Sequence, residues 1–227
     1  LFVSHKLEEV FEIAQRFTVL RSGHKVITCP KEDLDRAKFA RYMTGRDFAE
    51  ERYQPGTIDE APVLQVEGAT VGGAFADASL SVRPGEILGI TGLLGSGRTE
   101  LALSLFGMLP LDSGTIRVTG KDVKLRGVRD AIAAGIAYVP EDRLTEGLFL
   151  SRSIGENITV SEMENFTKAL GFIDKKAIRD EEKKWVKRLE VVTPDPANAV
   201  NTLSGGNQQK VVLAKWLATN PSVLILN

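Results

Sequence analysis

What the sequence has little of narrows it first. A single cysteine, Cys29, stands in 227 residues, so no internal disulfide can staple the fold. Basic and acidic side chains nearly cancel, 29 against 30, and the formal charge of -1 gives no global field toward nucleic acid or an anionic membrane. Aromatic residues are only 7% and do not interleave with a basic stripe, which removes the usual means of gripping a nucleic-acid backbone. Any anion must therefore be held by a local site. The longest apolar stretch, around 131–139, falls far short of the roughly 20 residues that span a bilayer, so membrane contact is expected through a partner. No charged-then-apolar signal segment opens the chain, and the cytoplasm is the expected compartment. An initiator methionine is also missing. The chain starts on Leu1 and stops on Asn227 directly after an apolar run, which reads as a fragment.

With 43% hydrophobic and 26% charged residues there is enough for one domain-sized core and part of a second. Residues 1–3 read as the end of a buried strand, and Ser4 as the cap of a helix carrying Leu7, Val10, Phe11 and Ala14 at helical spacing. Phe17, Val19 and Leu20, then Ser22 and Gly23, then Val26 and Ile27 alternate as a hairpin. An amphipathic helix is expected over 31–43. The polar stretch 45–62, broken by Pro55, Gly56 and Pro62, reads as an interdomain linker. The expected division is a first remnant at 1–48, a linker at 49–62 and a second domain at 63–227, with a helical part over about 147–206.

In the second domain strands are expected at 63–67, 78–82, 86–91, 115–119, 136–139 and 222–226, and helices at 98–106, 128–134 and 207–218. Residues 153–190 read as mostly helical and charged, with 174–190 a solvated face. Alternating strands and helices argue an α/β fold with a largely parallel sheet and no internal repeat.

Two motifs carry chemistry. Gly92, Leu93, Leu94, Gly95, Ser96, Gly97, Arg98 and Thr99 follow the phosphate-binding spacing GxxxxGK[ST] at every position but one, with Arg98 in place of lysine; Glu100 closes the segment. Glycines there let backbone N–H groups turn toward phosphate oxygens, the following helix adds positive potential, and the Thr99 hydroxyl suits a magnesium ion. A guanidinium is wider and planar, so binding can survive while transfer suffers. The glycine spacing is not GxGxxG, which removes a dehydrogenase reading. The second motif, Leu203, Ser204, Gly205, Gly206, Asn207 and Gln208, opens the 207–218 helix, where free N–H groups, a hydroxyl and helix polarity meet. Alone it would be a capped helix start.

Taken together, LSGGNQQK, GLLGSGRTEL, the 138–143 segment YVPEDR and the strand VLILN resemble an ABC transporter ATPase. GRTEL, PEDR and LSGGNQQK resemble more narrowly the second half of tandem ATPase subunits of bacterial monosaccharide importers, and VSHKLEEV resembles the end of the first half. The resemblance implies a P-loop fold with a parallel-sheet core, an antiparallel β subdomain and a helical subdomain. It implies ATP with magnesium, sandwiched between two such domains. One site would take Gly92 to Thr99 with Glu141. The other would take His5 as a catalytic switch together with Ser204 and Gly206, donating to the γ-phosphate. Thr99 and Asn227 would serve the metal.

Membrane permease subunits, a periplasmic or extracellular sugar-binding protein and a second ATPase domain would be the partners, with no nucleic acid, at the cytoplasmic face of the membrane. Phe149, Ile154 and the 141–147 loop would be the coupling contacts. Phe75 is the nearest candidate for stacking on adenine. Three departures from the family pattern weaken turnover by this half: Arg98 for lysine, Glu141 for glutamine, and Asn227 for aspartate. A regulatory, catalytically degenerate module and a non-transport ABC ATPase are the alternatives.

Overall fold

Strand β3 (Leu64–Val71) organises the larger part of the chain because a shift of register between Val66 and Ala69 lets Leu64 and Val66 before it and Ala69 and Val71 after it all be buried. In the computed structural model, which describes residues 1–3, 7–21, 23–45, 61–168 and 171–227, the chain separates into two units, Leu1–Gln54 and Pro55–Asn227.

The first unit holds α1 (Leu7–Ile13), the antiparallel hairpin β1 (Arg16–Arg21) and β2 (His24–Pro30), and α2 (Arg36–Thr44). Phe11, Phe17 and Phe39 meet at its centre, with ring centroids 4.9 to 6.0 Å apart, over Val19, Cys29 and Leu34. Two expectations change here. Residues 1–3 form no strand and are exposed, having no partner among the described residues. The helix expected over 31–43 begins only at Arg36. Pro30 leads into a 3-10 turn (Lys31–Asp33), and Asp35, in extended backbone, restarts the helix by accepting from Lys38 N at 2.7 Å. Ser4, proposed as a cap, and Ser22, of the hairpin turn, lie outside the described residues, as does most of the 49–62 linker.

In the second unit β3 pairs antiparallel with β4 (Phe75–Val82) and β5 (Ser113–Val118), and β6 (Lys121–Val123) completes a four-stranded sheet of order β4-β3-β5-β6. Both β3 and β4 run longer than the apolar alternation suggested. A second, parallel sheet pairs β7 (Ile136–Val139) with β8 (Val223–Leu226), Tyr138 lying opposite Ile225. α3 (Arg98–Leu105) and α4 (Val128–Ala133) precede β7. Between β7 and β8 run α5 (Ile154–Thr159), a 3-10 stretch, α6 (Lys175–Arg188) and α7 (Gly205–Ala218). Phe106, at the end of α3, stacks on Tyr138 at 5.3 Å and meets Trp216 of α7 edge-on at 5.2 Å, which joins sheet and helices in one core.

The strand expected over 86–91 does not form. Ile87, Leu88 and Ile90 are exposed, and among the described residues no strand pairs with this segment. A strand exists by its neighbours, and an apolar run without one has no ladder to join. Parallel pairing is accordingly confined to β7 and β8 among the described residues. No helix among them is long and apolar enough to cross a membrane.

Candidate functional site

The glycine loop is an exposed turn leading into α3. Ser96 N donates to Leu93 O at 3.0 Å, and Gly95 and Gly97 take positive φ values of 78° and 84°. Gly97 has a second requirement besides its left-handed backbone. A Cβ there would lie 2.6 Å from Ala74 O and 2.9 Å from Phe75 Cβ, so the loop rests directly on the β3–β4 turn and Phe75 borders it. Arg98 Nη1 donates to Gly92 O at 2.9 Å, so the guanidinium closes over its own loop. Leu93 and Leu94 are exposed, and Glu100 lies in the first turn of α3, where an acidic side chain suits the helix polarity.

In the first turn of α3, Thr99 lines a cleft of about 320 Å³ shared with Tyr138, Glu141, Asp142, Glu146 and Asn227. The parallel register carries Asn227 to the same end of the sheet as Glu141: Asn227 N donates to Val139 O at 3.0 Å, and its Nδ2 donates to Tyr138 Oη at 3.0 Å. In this arrangement the Asn227 amide oxygen accepts no hydrogen bond among the described residues. Burial raises the Tyr138 hydroxyl pKa, with the Glu146 and Glu141 charges acting the same way against the Asn227 bond. Asp142 turns the chain by accepting from Leu144 N at 2.8 Å, and that bond above all holds its carboxyl below the usual carboxylate range. The single π turn Arg143–Gly147 follows.

That turn is fastened to α7 at both ends. Arg143 Nε donates to Gln208 Oε1 at 3.5 Å, and a Cβ on Gly205 would lie 2.8 Å from Arg143 Nη2. At the other end Lys215 Nζ donates to Gly147 O at 2.6 Å. Lys215 is only 5% exposed, and burial lowers its pKa to about 8. Its place in the core has a periodic cause: Gln208, Val211, Lys215 and Ala218 recur on the buried stripe of α7. Read at helical spacing, the sequence already put a lysine on that stripe.

At the N-terminus of α7, Ser204 stands in the cap position without making a side-chain cap bond. Among the described residues the N–H groups of Gly205, Gly206 and Asn207 take no partner. Leu203, Ser204, Gly205, Gly206, Asn207 and Gln208 are not among the residues lining the Thr99 cleft. His5 lies outside the described residues. Ile154, expected as a partner contact, is 0% exposed and belongs to the core, because the first turn of α5 faces inward; Phe149 is 57% exposed. Motif reading gave no part to Tyr138, whose hydroxyl takes the Asn227 amide, or to Lys215, which holds the Arg143–Gly147 turn to α7.

A glycine loop opening a helix, beside a cleft at the end of parallel strands, defines a nucleotide-binding domain of the P-loop class. The chain belongs to the ABC transporter family, whose model matches residues 75–227. It is 44% identical over 227 residues to the ribose import ATP-binding protein RbsA 3 of Rubrobacter xylanophilus, covering 100% of this chain and 45% of that one. To the ribose import ATP-binding protein RbsA of Bacillus licheniformis it is 44% identical over 232 residues, covering 100% and 46%. The chain therefore spans less than half the length of these curated relatives. Among solved structures, a nucleotide-free ATP-binding cassette from an ABC transporter superposes with a TM-score of 0.60 at 22% identity, over 73% of this chain and 68% of that one.

Proposed function

We propose that the chain is the second ATPase domain, preceded by the end of a first, of the energy-coupling subunit of a monosaccharide importer. The names of the relatives, ribose import ATP-binding proteins, support the sugar class. One observation carries the site: Thr99, Glu141 and Asn227 come from separate parts of the chain and line one cleft beside the glycine loop. A hydroxyl, a carboxylate and an amide oxygen are hard donors of the kind magnesium accepts alongside substrate phosphates. Magnesium would supply charge at the phosphates; Thr99 and Asn227 would hold it, and Glu141 would orient water.

On this reading Gly92, Gly95, Ser96 and Gly97 turn their backbone around the phosphates of ATP, Arg98 holds phosphate oxygens, and Phe75 borders the nucleotide. Ser204, with the Gly205 and Gly206 N–H groups, donates to the γ-phosphate of ATP held by another domain, and His5 serves as a catalytic switch. The subunit works at the cytoplasmic face of the membrane with permease subunits, for which exposed Phe149 is the anchor, and indirectly with a sugar-binding protein outside. A regulatory role for this half is favoured by Arg98, whose guanidinium is engaged by Gly92 O, and by the neutral Asn227.

The test is ATP binding and turnover with magnesium, for this chain and for Arg98→Lys. Weak binding without turnover, tightened roughly tenfold by Arg98→Lys, is the expected result. Brisk turnover by this chain alone would overturn the degenerate half-site, and no ATP binding by either protein would overturn the site itself.

A further inference from the structure

We propose that Asn207 is a positioning residue for Ser204. Its side-chain amide holds the serine oxygen so that the hydroxyl proton, and not a lone pair, is left to meet a phosphate. The inference rests on the reading of Ser204 as a phosphate donor given above.

Asn207 Oδ1 accepts from Val192 N at 2.9 Å, and Asn207 Nδ2 donates to Ser204 Oγ at 3.1 Å. The orientation of this amide is not arbitrary. A backbone N–H can only donate, so the amide oxygen must face Val192 and the NH₂ group must face Ser204. Ser204 Oγ thereby accepts one bond, and among the described residues its own proton has no acceptor. A serine in a cap position ordinarily spends its oxygen on the N–H of the second or third helical residue. Ser204 does not, so its O–H and the N–H groups of Gly205, Gly206 and Asn207 all remain unspent donors at one helix end. A neutral donor set of this kind suits an oxyanion.

The clasp is itself anchored. From the same helix Lys210 Nζ donates to Glu190 O at 2.8 Å, so the segment 190–192 that supports Asn207 is held to α7 at a second point. A purely structural staple between α6 and α7 would look similar in the free chain, and it must be separated by experiment.

The test is ATP turnover with magnesium in the whole subunit, where a phosphate loop faces Ser204, measured as a double-mutant cycle over Ser204→Ala and Asn207→Ala with melting temperatures alongside. Acting through Ser204, Asn207→Ala lowers turnover about tenfold in the native background and less than about twofold once Ser204→Ala is present. Asn207→Asp separates the two halves of the clasp. It keeps an acceptor for Val192 N, and its second oxygen takes the Ser204 proton; turnover falls at least as far as with Asn207→Ala, with melting unchanged. Equal losses in both backgrounds, or full turnover in Asn207→Asp, overturn the proposal. Full turnover in Ser204→Ala alone overturns the reading beneath it, and this inference with it.

Discussion

Ser153 and Ser204 start two helices of the same unit from nearly the same backbone, φ -67° and ψ 161° against φ -62° and ψ 155°. At α5 the serine closes the helix end. Ser153 Oγ accepts from Glu156 N at 3.0 Å and Glu156 Oε2 accepts from Ser153 N at 2.8 Å, a reciprocal capping box. At α7 the residue three positions on is Asn207, which bonds the serine side chain instead, and the N–H groups stay open. The buried polar groups of the two helices differ in the same sense. Asn157 of α5 is fully buried and satisfied by Phe149 N, Phe149 O and Ser153 O at 2.8 to 3.1 Å. Lys215 of α7 is buried with one carbonyl partner among the described residues and its ammonium 4.9 Å from the centre of the Trp216 ring. Identical local geometry thus serves closure in one helix and readiness in the other, and the choice lies in the side chain that answers the cap.

Substitution can break this contrast. Asn157→Ala leaves the Phe149 N–H unpaired and opens a small cavity, while Phe149 O and Ser153 O keep their backbone partners Arg152 N and Asn157 N, so urea unfolding should show a loss of about 3 kcal/mol. Lys215 should behave oppositely. Its pKa falls to about 8 in the fold from 10.5, so between those values the unfolded chain keeps a proton the native chain has released. The burial cost is therefore full below about pH 8 and relieved as pH rises to 10.5, and stability increases across that window. Relative to Lys215→Met, the native protein should gain on the order of 2–3 kcal/mol from pH 8 to 10.5; a flat difference would mean that Lys215 is not desolvated. The smallest effect sharpens the comparison most. Ser153→Ala should cost about 1 kcal/mol of stability, whereas Ser204→Ala should stay within about 0.5 kcal/mol in the same melt because its oxygen caps nothing.

The motifs were legible because their chemistry is local. GLLGSGRT needs only its glycine spacing to become a turn before α3, and the apolar stripe of α7 needs only a period of 3.6. The strand over 86–91 was misread for a complementary reason: its residues have the right composition, but pairing is supplied by distant chain. The helix over 31–43 failed locally, since Asp35 competed with the interior of a longer helix and won as a cap. Ile154 was read as a contact because its apolar character does not say which way the first turn of α5 faces.

What the sequence determined by itself was the kind of site: a phosphate loop with arginine for lysine, a serine-glycine helix start, and an amide at the end of the last strand. Only the tertiary structure decided that Thr99, Glu141 and Asn227 share a cleft, that Tyr138 takes the Asn227 amide, and that Phe75 lies against Gly97. Spacing along the chain controls backbone turns and helix faces, whereas these meetings depend on the parallel register of β7 with β8 and on the packing of α7 against β7, which join residues up to 89 positions apart.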